Sequence, residues 1–399
     1  MWNLFKLTNI FWLLASTYLW ITSVFNQGPM LVAVNLLMLL CLSVMPVKFR
    51  FDALTGRVAA AIILIGLWYL WIDGPVMCVT TILMYLPVVW LLQLPLNYKE
   101  DLLRFTTKWY AILLIPALLT YWITLFIEIP SLGQFVHPNY VPYTNYGFFI
   151  KTTWDSGMLV RFNAFFLEPG HQALLSTFLM IANKFRFRQC PWLWILAAST
   201  FFSFSLAGYL LAAAGYILLK VDTVIKAIIV AVTGAAVISF AISWSGGNNA
   251  LNDLIISRLE QDSNKGIKGN NRVDHTTDYT YAKAVKRHDL WMGVKEKTNM
   301  EMIAGAGYKI YIINYGLIGV ILSLMFYLSV IPSRPDYRFT ISFLIVIALC
   351  FLQRAYPSWY SWLFPYVMGI YVAKGEKDRR LTIQHEDSNE TPHNSDTAV

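Results

Sequence analysis

The sequence is poor in charge. Of 399 residues, 14% are Asp, Glu, Lys or Arg, against about 25% in an ordinary soluble domain. That shortage excludes a soluble globular enzyme, a disordered protein and a nucleic-acid-binding module. Cysteine is scarce as well. Cys41, Cys78, Cys190 and Cys350 lie in or beside apolar runs and show no paired spacing, so they read as small apolar residues, not as disulfides or metal ligands. Glu260-Gln261-Asp262 is the nearest approach to a metal-holding acidic pair, and two carboxylates are too few for a site. Neither a metal nor a cofactor is therefore expected. No internal repeat is visible, direct or inverted. The middles of the apolar runs carry almost no charge, although ion-coupled transporters need buried carboxylates and broken helices near the midplane. The search for chemistry therefore moves to the loops.

Apolar and aromatic residues are abundant: 57% hydrophobic, 16% aromatic, mean hydropathy +0.52. A bilayer core about 30 Å thick takes roughly 20 apolar residues per helix. Runs near that length fall at about 8–25, 29–47, 58–73, 75–94, 108–128, 167–184, 191–205, 206–221, 224–244, 311–331, 339–354 and 358–373. The pattern predicts an all-α polytopic integral membrane protein of about twelve spans. It forms one membrane domain over 1–373, with a disordered cytoplasmic tail over 374–399. The first run follows Lys6 and resembles a signal peptide, but further spans follow at once and no clear cleavage site appears, so it is read as a helix.

The net charge is +8. Threaded through the twelve runs from a cytoplasmic N-terminus, 18 of the 31 Lys and Arg fall on inner segments and only Arg354 falls on a short outer loop. The remainder lie in two long outer segments, about 129–166 and 245–310. The positive-inside rule accordingly predicts both termini in the cytoplasm of a bacterial inner membrane. Residues 191–221 must cross twice for this plan to hold. A single tilted helix there would reverse everything after it.

Within the first outer segment, Arg161-Phe162-Asn163-Ala164-Phe165-Phe166-Leu167-Glu168-Pro169-Gly170-His171 draws attention. Pro169 suits the first turn of a helix, which places Glu168 at the helix start and His171 on the same face. Arg161, Glu168 and His171 would then share the outer mouth of a span, an environment that suits acid–base work. A helix cap with an interfacial salt bridge is the alternative reading. The second segment holds Arg258, Arg272, Arg287 and His288. Several Arg side chains outside the membrane can bind a diphosphate, or simply belong to a solvated basic loop. Tyr140, Tyr143, Tyr146, Phe148, Phe149 and Trp154 form an aromatic cluster fit for lipid headgroups or for sugar rings.

The Arg161-to-Pro169 segment resembles the Arg…Phe-x-Glu-Pro segment that opens a membrane helix in Wzy-type polysaccharide repeat-unit polymerases, within the O-antigen ligase/polymerase superfamily. Ser203-Phe204-Ser205-Leu206-Ala207-Gly208-Tyr209 is similar to their Ser-x-x-Gly turn between two short spans. Gly305-Ala306-Gly307-Tyr308 followed by Asn314-Tyr315-Gly316-Leu317-Ile318-Gly319 resembles the end of their large outer loop. The likeness covers about 130–330. Arg258 precedes Gly269 by a spacing functional in some members, but no second copy starts at Arg161, where position 172 is Gln172.

This resemblance implies a GT-C-like enzyme that moves a growing glycan from undecaprenyl diphosphate to a sugar hydroxyl of the next lipid-linked repeat unit, outside the inner membrane. The partners it implies are the lipid-linked donor and acceptor and membrane lipid, with a chain-length regulator protein left open. Nucleic acid is not among them. Such a transfer needs a base for the hydroxyl proton, cations for the leaving diphosphate, and an oxocarbenium-like transition state. Glu168 or His288 is assigned as base, and Arg161, His171, Arg258, Arg272 and Arg287 as diphosphate ligands, with no metal. An O-antigen ligase and a polysaccharide-lipid flippase or other transporter are the competing readings.

Overall fold

The computed structural model describes residues 1–16, 27–49, 51–136, 142–152, 160–221, 261–262, 266–267, 275–287, 289–294 and 307–389. Helices dominate: α1 (Trp2–Ala15), α2 (Gln27–Val44), α3 (Ala53–Asp73), α4 (Pro75–Gln93), α5 (Leu96–Phe126), α6 (Pro169–Ala182), α7 (Trp192–Phe202), α8 (Leu206–Lys220), α9 (His275–Lys286), α10 (Gly307–Ser329), α11 (Tyr337–Gln353) and α12 (Tyr360–Asn389). Sequence punctuates them locally. Asp52, Ser205 and Asp336 cap α3, α8 and α11 by accepting from Thr55, Gly208 and Phe339 N–H groups, and Pro169 opens α6. Each uses an orphan first-turn position.

Apart from α9 and the polar half of α12, the described helices overlap the expected apolar runs, but the expected twelve spans are not what the structure holds. Among the described residues, four helices are long and apolar enough to cross a membrane: α3, α4, α5 and α10. α7, α8, α11 and most of α2 are apolar but shorter. At 1.5 Å per residue, the 14 residues of α6 reach only about 21 Å. From Gly170 to Ala182 α6 is buried at every position, so its apolar character answers to neighbouring helices rather than to lipid. The run at 224–244 lies outside the described residues. The whole is nevertheless a helical membrane protein.

Three further departures concern the segments between and after the runs. The first outer segment contains a three-stranded antiparallel sheet: β1 (Gly133–Val136), β2 (Pro142–Asn145) and β3 (Ile150–Thr152), in that order. Tyr143, Ile150 and Leu167 make a small separate core there. Strands β4 (Gln261–Asp262) and β5 (Gly266–Ile267) pair in the second segment. In addition, α12 does not stop at 373 but continues to Asn389, where a disordered tail was expected. Its polar half is held by ion pairs: Glu376 with Lys184 and Arg186, Arg379 with Glu100, and Lys374 with Asp378 one turn on.

Residues 191–221 form two helices, not one. Ser203, Phe204 and Ser205 break them, with Phe204 at φ 45°. The break lies beside Arg161, whereas Leu218 and Val221 at the far end of α8 accept from Arg338. α7 and α8 therefore run in opposite directions against α6. Between the helices, polar groups satisfy one another: Gln172 donates to Ser176 (2.9 Å) and Ser199 (2.6 Å), and Tyr360 donates to Asn9 (2.6 Å). Such pairing makes buried polar groups tolerable between apolar helices.

Candidate functional site

Glu168 and His171 do meet at the start of α6, and the guanidinium that joins them comes from Arg354. Arg354 Nη2 donates to Glu168 Oε2 at 2.5 Å and Nη1 donates to His171 Nε2 at 2.5 Å. Glu168 Oε2 and His171 Nε2 are 3.9 Å apart. Glu168 is the N-cap residue of α6 but makes no side-chain capping bond, so its carboxylate serves the cluster and not the helix end. Arginine has no acceptor. His171 Nε2 must therefore accept, which leaves the ring neutral with its proton on Nδ1. Burial opposes the charge of Arg354, but the Glu168 carboxylate outweighs it and raises the guanidinium pKa above its ordinary value.

Two glycines make room for Arg354. A Cβ on Gly170 would stand 2.7 Å from Arg354 Nη2, and one on Gly307 would stand 2.6 to 2.8 Å from backbone atoms of residues 353–355. Around the cluster, the Trp359 ring lies edge-on to His171 at 4.8 Å and stacks on Tyr356 at 4.0 Å. Only 3% of His171 is exposed, against 32% of the Glu168 side chain. The histidine is thus walled in while the carboxylate faces outward.

Arg354 also lines a cavity of about 200 Å³ bounded by Tyr69, Asn314, Tyr315, Gln353, Tyr356 and Ser358, among others. Tyr69, Tyr311 and Tyr315 pack ring against ring at 4.5 to 4.9 Å, and Tyr311 shares a hydrogen with Ser323 at 2.8 Å. The cavity sits where α10 breaks. Gly316 adopts φ 67°, and a Cβ there would strike the Trp291 carbonyl at 2.2 Å. The chain at 290–294 replaces the interrupted helix bonds: Leu317 N donates to Leu290 O, Ile318 N to Trp291 O, and Val294 N to Ile313 O. Broken backbone near a membrane is sustainable where protein covers it or it lines a cavity. Asp278 on α9 pairs with Lys309 at 2.5 Å, which ties α9 to the start of α10.

The other expected site residues fare differently. Arg161 donates to the carbonyls of Ser203 (3.2 Å) and Phe204 (3.3 Å), and so clasps the α7–α8 turn. Arg287 is exposed just after α9. His288, Arg258 and Arg272 lie outside the described residues. Of the aromatic cluster, Tyr143 is buried in the small core and Phe149 in the main one, Phe148 is exposed, and Tyr140 and Trp154 lie outside the described residues. Among the described residues no cluster of three His, Cys, Asp or Glu suits a metal. The residue missed from sequence is Arg354, and one signal pointed to it: in the twelve-span plan it is the lone cation on any short outer loop. The chain matches no protein-family model, no curated protein and no solved structure.

Proposed function

We propose that this chain is a lipid-linked glycan polymerase of the Wzy type, GT-C-like in plan, acting on the periplasmic side of a bacterial inner membrane. The observation that supports this reading is the Glu168–His171–Arg354 cluster beside a tyrosine-lined cavity. The rings offer flat apolar faces with hydroxyl handles, which suits sugars. Arg354 offers a fixed charge in a forked geometry, which suits a diphosphate.

The chemistry follows as an exchange of partners. The diphosphate of the donor takes the Arg354 fork. Glu168 loses its cation and turns to the acceptor sugar hydroxyl. As the hydroxyl oxygen attacks the anomeric carbon, Glu168 receives its proton and the bond from that carbon to the diphosphate oxygen breaks. Arg354 stabilises the charge that gathers on the leaving diphosphate. Neutral His171 holds Arg354 in place by accepting from it.

Gene deletion in the native host tests the reading. Loss of a polymerase leaves single repeat units on the outer glycolipid. Long polymer stranded on the polyprenyl carrier would instead identify a ligase, and single lipid-linked units trapped on the cytoplasmic side would identify a flippase. Chains of normal length and amount would reject the polymerase reading.

A further inference from the structure

A second cavity, of about 670 Å³, opens at the opposite end of the helical body, between α5, the α6–α7 turn and the polar half of α12. Its wall carries more cations than carboxylates. Glu100, Asp101 and Glu376 are all engaged: Glu100 by Arg379 at 2.7 Å, Asp101 by Lys6 at 3.2 Å, and Glu376 by Lys184 and Arg186 at 3.0 and 2.5 Å. Arg104 and Lys108 also line the cavity. Among the described residues neither makes an ion pair, and both are exposed. They stand four residues apart on α5, one above the other on one face, where like charges repel. An anion between them converts that repulsion into attraction.

Asn183 and Gln189 add polar groups to the wall, and the rest of it is apolar or aromatic. Phe105, Trp109 and Trp192 line it. Lys108 Nζ stands 5.8 Å from the centre of the Trp192 ring, and Trp109 is 41% exposed. A pair of cations framed by Trp at the end of apolar helices matches the boundary between lipid headgroups and tails. We propose that this cavity binds the phosphate headgroup of an anionic membrane lipid, with Arg104 and Lys108 as its ligands and the aromatic rim against the first part of its tails.

The test uses the full chain, reconstituted in nanodiscs of mixed phosphatidylglycerol and phosphatidylcholine, extracted and weighed by native mass spectrometry. Wild type should retain phosphatidylglycerol over phosphatidylcholine. The double variant R104Q/K108Q should retain it about 25-fold less, roughly fivefold for each cation. R188Q removes a nearby exposed charge outside the cavity wall and should retain as much as wild type. R104K/K108R keeps both charges and should restore retention in a protein that melts as wild type does. Equal retention of the two lipids by wild type, or an equal loss in R188Q, overturns the proposal. Failure of the charge-swapped variant to restore retention also overturns it. Complete displacement of phosphatidylglycerol by inorganic phosphate or diphosphate would show a site for soluble anions and would likewise overturn it.

Discussion

At the Glu376 end of the helical body, one carboxylate takes both Lys184 and the fork of Arg186, and Arg379 reaches Glu100. At the Arg354 end, one guanidinium takes both a carboxylate and a neutral imidazole. The first cluster is excess cation gathered round acid, partly exposed and built from chain segments that sequence already marked as basic. The second is sparse, with Arg354 and His171 both buried. Surface ion pairs contribute little to stability, so the first cluster joins helix ends at small cost. A buried Arg held by a single carboxylate is costly to break, and it retains donors that a stronger anion can claim. On the proposed function, the contrast distinguishes charge that sets architecture from charge kept for chemistry.

Substitutions break or sharpen this contrast in graded steps. Gly307→Ala forces a Cβ against the backbone of residues 353–355 and should cost about 3 kcal/mol, read as thermal unfolding in detergent. Arg161→Ala removes two charge-assisted bonds to the α7–α8 turn and should cost about 2 kcal/mol. Its residual folded fraction should extend chains at the normal rate per molecule; a rate loss in fully folded protein would return Arg161 to the chemistry. Gly170→Ala pushes on the Arg354 guanidinium, which is flexible. It should lower chain extension about tenfold, about 1.4 kcal/mol, with the melting temperature nearly unchanged.

The smallest step is at the other end. Burial works against the charge of Glu376, but Arg186 and Lys184 outweigh it and hold the carboxyl below its ordinary 4.5. A depressed carboxyl adds stability above its unfolded pKa and loses that stability as pH falls through the folded one. Wild type should therefore lose about 1 kcal/mol on acidification below about pH 4.5. Glu376→Gln should abolish that part of the pH slope while leaving chain extension intact. Arg354, raised above its usual value, stays charged throughout and adds nothing to this window.

How far the sequence could be read follows the range of the interactions. Pro169 after Glu168 marked the start of α6, and Ser203 to Gly208 marked the break between α7 and α8, because caps and turns act within a few residues. Gly307 and Gly316 were noticed as motif glycines, and their structural reasons are a close backbone approach and a positive φ. The number of spans was not readable, because hydropathy reports that α6 is apolar without telling whether lipid or protein covers it. The small sheet escaped because its strands have only three or four residues. Arg354 escaped because its partners lie 183 and 186 positions away, and spacing arguments see only neighbours. The helical course of 374–389 escaped because its acids and bases find partners on α5 and the α6–α7 turn, which composition does not reveal.

The central claim is that Arg354 and Glu168 work as a pair on the glycan. Its most direct test is chain extension by Arg354→Gln, Glu168→Gln and the double variant in cells where each is inserted in the membrane at wild-type amount. All three should leave single repeat units, with the double no worse than Arg354→Gln alone, because residues acting as one unit are not additive. Chains of normal length from Arg354→Gln, in protein that melts within a few degrees of wild type, would contradict the account.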